Sequence, residues 1–434
     1  MGDEGVAEQT LRLQPLVCRI IDSSETMKIT AVKTAVVEAN YDYTYVRVYA
    51  DNGVYGTGES FFAPGLTGVI RDMAPVLMGK DPRHVDRLTR ELRRAASGAG
   101  AVAGYAHNAI SGMETALWDL IGKHFQVSVW QLLGGQFRDH IRLYADCHAG
   151  EGLESWGPAL LPREPAWFRQ EKARRKQTSG LADQLSPAAY ATHARQAVAR
   201  GFDFLKFDLD AIHGPPSDIL TRSLTHGEIE QMTEVISVLR EAVGPHVEIA
   251  LDCHWRYNLP DALKIARALE PFHVAWLEDA LPPESVDGFR ILRESTTLPI
   301  CTGENLNLRE GFKPLLEQYA VSIVSPDFQK AGGLLEAKRI ADLAALYEVP
   351  VAPHNISSPL GTIASCHVCS TLTNFMVLEF HGQDLPFWDD LVTGLPKPLI
   401  QNGTIQVPAG PGLGVELNEA VAKQYAKAGE PFFE

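Results

Sequence analysis

Residues 247–306 read VEIALDCHWRYNLPDALKIARALEPFHVAWLEDALPPESVDGFRILRESTTLPICTGENL, and their pattern decides the fold. Three short apolar runs in this stretch close on an acid, namely Asp252, Glu278 and Glu304. The steps from Asp252 to Glu278 and from Glu278 to Glu304 are both 26 residues. A strand, a loop, a helix and a second loop of a parallel α/β repeat consume such a length, so the three acids are expected at equivalent strand ends.

Outward from that stretch, the chain after Asp139 continues to alternate apolar runs with helical patterns. The runs end near Ala145, Phe207, Leu251, Leu277, Cys301, Val324, Ala352 and Leu378. Eight such runs predict an α/β fold closed into a parallel (β/α) barrel rather than an open sheet. The polar residues that terminate them then meet on one face, where such barrels carry their active sites. The connection from Ala145 to Ser186-Pro187 is too long for the repeat. It contains Trp156, Trp167 and a basic run from Lys172 to Lys176, and it reads equally as a lid or as a solvated surface excursion.

Upstream, KITAVKTAVVEA (28–39), YTYVRVYAD (43–51) and VYGTGES (54–60) predict a three-stranded meander with a hairpin turn at Asp51-Asn52-Gly53. A helix is expected over PRHVDRLTRELRRA (82–95). An amphipathic one is expected over AISGMETALWDLIGKHF (109–125), just after His107-Asn108. Residues 27–138 thus read as an α+β unit and 139–384 as the barrel, with an insertion near 150–185. Residues 385–434, with LIQNGTIQV and PGLGVELNEAVAKQYA, read as a tail returning to the α+β unit. Residues 1–26 read as an N-terminal extension, with disorder as one reading and Met27 as an alternative start.

The composition, 45% hydrophobic and 21% charged over 434 residues, is that of a globular protein with a large core. A net charge of −15 argues against a nucleic-acid or acidic-membrane partner, which would require clustered positive charge. No apolar run reaches the ~18 to 20 residues of a membrane helix, and residues 1–26 lack the progression of a secretory signal. The six cysteines (Cys18, Cys147, Cys253, Cys301, Cys366, Cys369) are scattered, which suits a reducing cytoplasm. Cys366-His-Val-Cys369 reads as the face of a packed helix rather than a ligand or redox pair.

Three converging carboxylates and no cysteine or histidine among them suit Mg²⁺, with Mn²⁺ as the alternative, and not zinc. His254 lies two residues beyond Asp252, and strand alternation would point both into one pocket. The same alternation couples Lys206 and Asp208 at the end of the second run. Asp327 and His354 end adjacent strands, so that Asp327 could hold one ring nitrogen and leave the other as a base. Glu379 faces the same pocket from the last strand; His381 follows at the same parity and reads equally as structural or functional.

At these residues the chain resembles the enolase superfamily, specifically the mandelate racemase/muconate lactonizing branch and its galactonate-type acid-sugar dehydratases. YGTGES, HNAISGMETALWDLIGK, the three acid stretches, SPDFQKAGG, APHN and PGLGVELNE carry the likeness, in order, over nearly all of the chain from Met27. The resemblance implies a modified TIM (β/α) barrel under an α+β capping domain, Mg²⁺ on Asp252, Glu278 and Glu304, and a His354–Asp327 dyad as base. It also implies Lys206 and Glu379 as partners of the substrate carboxylate, and a homo-oligomer, often an octamer.

Racemase and cycloisomerase relatives commonly carry Lys-x-Lys on the second barrel strand, where this chain has Lys206 and Asp208. His254, two residues past a ligand, matches the acid of galactonate-type dehydratases. The expected reaction is therefore loss of water from an aldonate or aldarate to give a 2-keto-3-deoxy acid. Racemisation or epimerisation is the alternative, and a non-catalytic metal-binding barrel is a more remote one. Lys206 is expected either to neutralise substrate or to pair with Asp208. Specificity is expected from the loops at 38–44 and 59–65, with Tyr41 and Phe61 as wall residues or as core. Asp279-Ala280 after Glu278 departs from the usual acid-proline, and the long segment after Ala145 departs in length.

Overall fold

The computed structural model describes residues 26–99, 104–147, 165, 167–170, 186–212, 223–383 and 385–434. The readings of residues 1–25 and of most of the 150–185 segment, including Trp156 and the Lys172–Lys176 run, lie outside the described residues.

The meander forms as expected. Strands β1 (Ile29–Glu38), β2 (Asp42–Ala50) and β3 (Tyr55–Ser60) pair antiparallel in the order β1-β2-β3. The second predicted helix departs from expectation in two ways. It spans Tyr105–Phe125, beginning before His107, and it is buried almost all round rather than amphipathic. It is wedged between the meander and the barrel: a Cβ on Gly58 of β3 would lie 2.3 Å from the Gly112 carbonyl, so only glycine allows this approach. On the opposite side Glu114 accepts the backbone N–H groups of Leu334 (2.7 Å) and Leu335 (3.1 Å), the free donors at the start of the Leu334–Ala345 helix. From β3, Glu59 does the same for the Pro359–Ser370 helix, accepting from Ser358 N (3.0 Å), Gly361 N (3.0 Å) and the Ser358 hydroxyl. Two buried acids of the capping unit thus bind barrel helices at their positive ends.

The barrel strands are β4 (His140–Cys147), β5 (Phe204–Asp208), β6 (Glu248–Asp252), β7 (Trp276–Glu278), β8 (Ile300–Thr302), β9 (Ile323–Val324) and β10 (Leu378–Phe380). Neighbours from β4 to β9 pair parallel in that order, and β10 pairs parallel with β4. The seventh run, VPVAPH, is not a regular strand. It contributes single parallel bridges from Val351 to Val324 and to Phe375, which complete the circuit between β9 and the segment leading into β10. All eight runs therefore take part, one of them by a minimal contact.

The barrel floor confirms this arrangement. Tyr144, Phe204, Ala250, Trp276, Cys301, Ile323, Ala352 and Val377 form one buried cluster with a residue from each run. Inward positions recur every second residue in a strand. The layer directly above this floor is accordingly Asp146, Lys206, Asp252, Glu278, Gly303, Ser325, His354 and Glu379.

The tail does more than return to the capping unit. After β11 (Val392–Thr393), a hairpin of β12 (Ile400–Gln401) and β13 (Thr404–Gln406) pairs antiparallel with the first half of β4. Only then does the chain reach the capping helix, where Asp119 accepts from Leu413 N (2.8 Å), before β14 (Glu416–Leu417) pairs back on β11. Every residue of the helix bearing Cys366 and Cys369 is buried, and both thiols are pushed up by burial alone or foremost, so the pair packs as expected. His367 between them accepts a hydrogen bond from Trp130 N–H at Nδ1 (3.2 Å) and lies 3.1 Å from the Leu413 carbonyl through Nε2.

Candidate active site

Asp208, Asp252 and Glu278 are brought together by strand register. Asp208 pairs with Asp252 across β5–β6, and Asp252 with Glu278 across β6–β7. Glu304 arrives differently. Glu278 is paired with Cys301, and the position above the floor, just past the end of β8, is Gly303, at φ +148°. This conformation favours glycine, and a Cβ there would meet Phe312 at 2.7 Å. The turn returns the chain so that Glu304 offers an oxygen to the same cluster: ligand atoms of Asp252, Glu278 and Glu304 all lie within 4.8 Å of one another, and all three side chains are buried. Equal spacing in sequence therefore corresponds to unequal placement in the strands.

Lys206 sits among these acids. Its Nζ is 2.8 Å from Glu379 Oε1, 3.1 Å from Asp252 Oδ2 and 3.8 Å from Glu278 Oε1. Pairing of Lys206 with Asp208 is not what the structure has. Asp208, one layer above, faces His254 Nε2 at 4.0 Å instead. Burial works against the Lys206 ammonium, but Glu278, Glu379 and Asp252 hold it charged, well above its ordinary range. Burial also lifts Asp252, yet His254 and Lys206 outweigh it and draw that carboxyl down to about 2. Glu278 goes the other way: burial dominates, and its carboxyl is raised well above the usual range. Its Oε2 accepts from Trp276 Nε1 (2.7 Å), while Oε1 is buried without a hydrogen-bond partner.

These features fit a divalent cation. Glu278 Oε1 is buried without a hydrogen-bond partner and belongs to an all-oxygen ligand set suited to Mg²⁺ or Mn²⁺. Asp208, Asp252 and His254 form a second, mixed triplet within the same reach.

His354 ends the seventh run with Nδ1 2.7 Å from Asp327 Oδ2 and Nε2 3.2 Å from Glu304 Oε2. Gln329 N–H fixes the other Asp327 oxygen (2.8 Å). Burial lowers the imidazole's proton affinity, but Glu304, Glu379 and the Asp327 hydrogen bond overcome it and raise the pKa to about 9. A cation sharing Glu304's charge would bring it back down. Glu379 Oε2 accepts from Asn355 N–H (2.8 Å) and so is fixed toward the pocket.

His254 reaches the pocket, but not through strand alternation. β6 ends at Asp252, and His254 and Trp255 turn in the left-handed region at φ +44° and +57°. Asp252 accepts the His254 backbone N–H (3.0 Å), the imidazole Nδ1 lies 3.0 Å from Asp210 Oδ1, and Nε2 is 4.0 Å from Asp252 Oδ2. Burial is outweighed by Asp252, Asp208 and Asp210, which raise its pKa well above the ordinary value. Sequence reasoning missed Asp210, although it stands one further step of two beyond Lys206 and Asp208; Arg256 Nε holds its second oxygen at 3.1 Å.

Both capping-loop residues lie at the mouth. Tyr41 is buried against Phe62 (4.9 Å) and the His381 ring (5.5 Å), and its phenol is held well up by burial and then by Asp146, Asp208, Glu304 and Glu379. Phe61 lies 6.0 Å from the His354 ring and under the Lys330 ammonium. His381 is braced on both sides, by Asp146 (2.9 Å) and Asn40 (3.2 Å), which joins β10 to the capping loop. Trp167 donates to the Glu38 carbonyl (2.8 Å), two residues before Asn40.

Comparison with known proteins agrees with this construction. Residues 189–421 match the enolase C-terminal domain-like family, and residues 19–134 match the mandelate racemase/muconate lactonizing enzyme N-terminal domain. The chain belongs to the mandelate racemase/muconate lactonizing enzyme family. Within this family of the enolase superfamily it is 39% identical to a D-xylonate dehydratase of Haloferax volcanii, over 94% of this chain and 91% of that protein. It is 29% identical to a D-gluconate dehydratase of Thermoproteus tenax, over 88% of this chain and 69% of that protein. A mandelate racemase/muconate lactonizing enzyme-like protein from Rubrobacter xylanophilus superimposes with a TM-score of 0.85 at 42% identity, covering 94% of this chain and all of that one. The family's fold, a TIM barrel with a capping domain, is the fold described above.

Proposed function

We propose that this protein is a Mg²⁺-dependent hydro-lyase acting on acid sugars, with Mn²⁺ as the alternative metal. It removes the proton α to the carboxylate and eliminates the β-hydroxyl, giving a 2-keto-3-deoxy acid. The observation that carries the reading is the placement of two histidines on different flanks of one acid cluster, His354 beside Glu304 and His254 beside Asp252, each with Nδ1 against its own aspartate. The dehydratase names of the relatives support it.

On this reading Asp252, Glu278 and Glu304 hold the metal, which when bound would offset the negative charge developing on the substrate carboxylate. His354 Nε2 takes the α-proton, because Asp327 keeps the proton of the ring on Nδ1. Lys206 supplies a fixed positive charge where the enediolate forms, and Glu379 orients it. His254, held protonated by its three aspartates, gives a proton to the departing hydroxyl, which leaves as water. Asp208, Tyr41 and Phe61 border the substrate. Residues 27–138 with 385–434 cap a catalytic barrel of residues 139–384.

Epimerisation is the second reading, because His254 is braced as His354 is and could return a proton to the opposite face. The test is a panel of aldonates and aldarates incubated with protein and Mg²⁺ in deuterium oxide, read for keto acid and for α-deuterium. Keto acid from at least one substrate is expected. Deuterium incorporation without keto acid would establish the epimerase instead, and neither signal across the panel would leave a metal-binding barrel.

A further inference from the structure

Lys330 is a 6% exposed lysine at the pocket's edge that makes no ion pair among the described residues. Its ammonium is engaged by two neutral groups. It lies 3.9 Å above the ring centroid of Phe61, from the capping loop, and donates to Asn305 Oδ1 at 3.2 Å. The Asn305 amide then has only one orientation open: with Oδ1 taken by Lys330, Nδ2 faces and donates to Glu304 Oε1 at 3.0 Å. The remaining Glu304 oxygen, Oε2, is the one that meets His354 Nε2 at 3.2 Å. Hydrogen bonds to backbone carbonyls keep these segments in place: Phe61 N–H donates to the Gln329 carbonyl (3.1 Å), and the Asn307 side-chain amide donates through Nδ2 to the Lys330 carbonyl (2.8 Å).

We infer that Phe61, Lys330 and Asn305 form a positioning relay that sets the Glu304 carboxylate for the metal from the capping domain. The inference rests on the assignment of Glu304 as a ligand. The physical reason for the relay is Gly303. Asp252 and Glu278 are aimed by strand register, whereas Glu304 follows a glycine turn, and a carboxylate on a turn requires outside bracing to hold one rotamer. A cation over an aromatic face is a fixed anchor for this, since ammonium and ring attract without a counter-charge that would compete with Asn305 Oδ1 for the ammonium. Outer hydrogen-bond partners of metal ligands are worth roughly 10- to 100-fold in affinity.

The test is Mg²⁺ binding to the full-length protein by titration calorimetry, without substrate. Lys330→Met and Asn305→Ala should each weaken Mg²⁺ binding about 10-fold or more, and Lys330→Arg should recover most of it. Because both act through one carboxylate, the double variant should lose no more than Asn305→Ala alone. Phe61→Leu should show a smaller loss in the same direction. Additive losses, or Mg²⁺ affinity within twofold of the parent in folded Lys330→Met, would overturn the relay; in the latter case a raised KM would mark Lys330 as a direct substrate contact. Asn305 is only part-buried, so Asn305→Ala decides the matter should Lys330→Met not fold. Failure of the parent protein to bind Mg²⁺ overturns the metal assignment, a result separate from unchanged variants.

Discussion

His254 Nδ1 lies 3.0 Å from Asp210 Oδ1, on the side of the acid cluster where Asp252 and Asp208 stand. The arrangement repeats that of His354 and Asp327, at 2.7 Å, beside Glu304. Two imidazoles thus each present Nε2 to the same acid cluster, at Asp252 and at Glu304, with a carboxylate on each Nδ1. On the proposed function, one of them takes a proton and the other gives one.

Replacing each histidine separates those roles. His354→Asn should lower α-proton exchange in deuterium oxide by on the order of 10² to 10⁴. His254→Asn should leave exchange in place and stop keto-acid formation. Proton NMR of one substrate reads both. Loss of exchange in both variants alike would refute the assignment of roles.

Lys206→Met removes the ammonium that faces Asp252, Glu278 and Glu379. Stranding buried charge costs about 3–5 kcal/mol. Thermal melts of the metal-free protein should show that loss, and millimolar Mg²⁺ should raise the melting temperature of the variant more than that of the parent. An equal response of both proteins would mean that no cation binds where Lys206 now compensates.

His367 is fully buried, and burial lowers its pKa from 6.5 to about 4. The unfolded chain then binds more protons than the folded one between those values, so this group's contribution falls as pH drops from about 6.5 to about 4, by about 3 kcal/mol. His367→Gln should abolish that part of the pH dependence in urea midpoints. A parallel profile in parent and variant would contradict it.

Glu59 carries the opposite sign. Burial raises its carboxyl to about 7 despite the hydrogen bonds from Ser358 and Gly361, and Glu114 is raised to about 7 likewise. The folded state binds the extra proton, so stability is lost as pH rises from about 4.5 through 7, by about 3 kcal/mol for each group. The parent should therefore show a shallow profile in which His367 partly offsets the two glutamates. Glu59→Gln should tilt it toward greater stability at neutral pH, and an unchanged slope would exclude the effect.

Gly58→Ala should destabilise the docking of the meander on the capping helix by about 3 kcal/mol. The added methyl would lie 2.3 Å from the Gly112 carbonyl and 2.6 Å from Ala116 N, both backbone atoms that cannot turn aside. Calorimetric melting checks this, and a loss below measurement would show that the helix shifts without cost.

Much of this was legible before the fold was known, because it depends on period. Apolar runs that close on charged residues give a barrel its strands, and a step of two places Lys206, Asp252, Glu278, His354 and Glu379 in one layer above a floor of Tyr144, Phe204, Ala250, Trp276, Ala352 and Val377. Local pattern has less reach where the backbone leaves the strand. His254 was expected in the pocket by alternation and arrives there through a left-handed turn. The capping helix was expected to have a solvent face and has almost none, since its polar residues Glu114 and Asp119 bind backbone groups far along the chain.

The sequence by itself determined the barrel, its capping unit and the inventory of acids and histidines, because hydrophobic periodicity and strand alternation are properties of neighbours in the chain. Only the tertiary structure decided the partners: Lys206 with Glu379 rather than Asp208, Asp210 behind His254, and Asn305 and Lys330 behind Glu304. Hydrogen bonds and ion pairs act through space over about 3 Å, and which side chains come that close depends on strand register and glycine turns that sequence spacing does not encode.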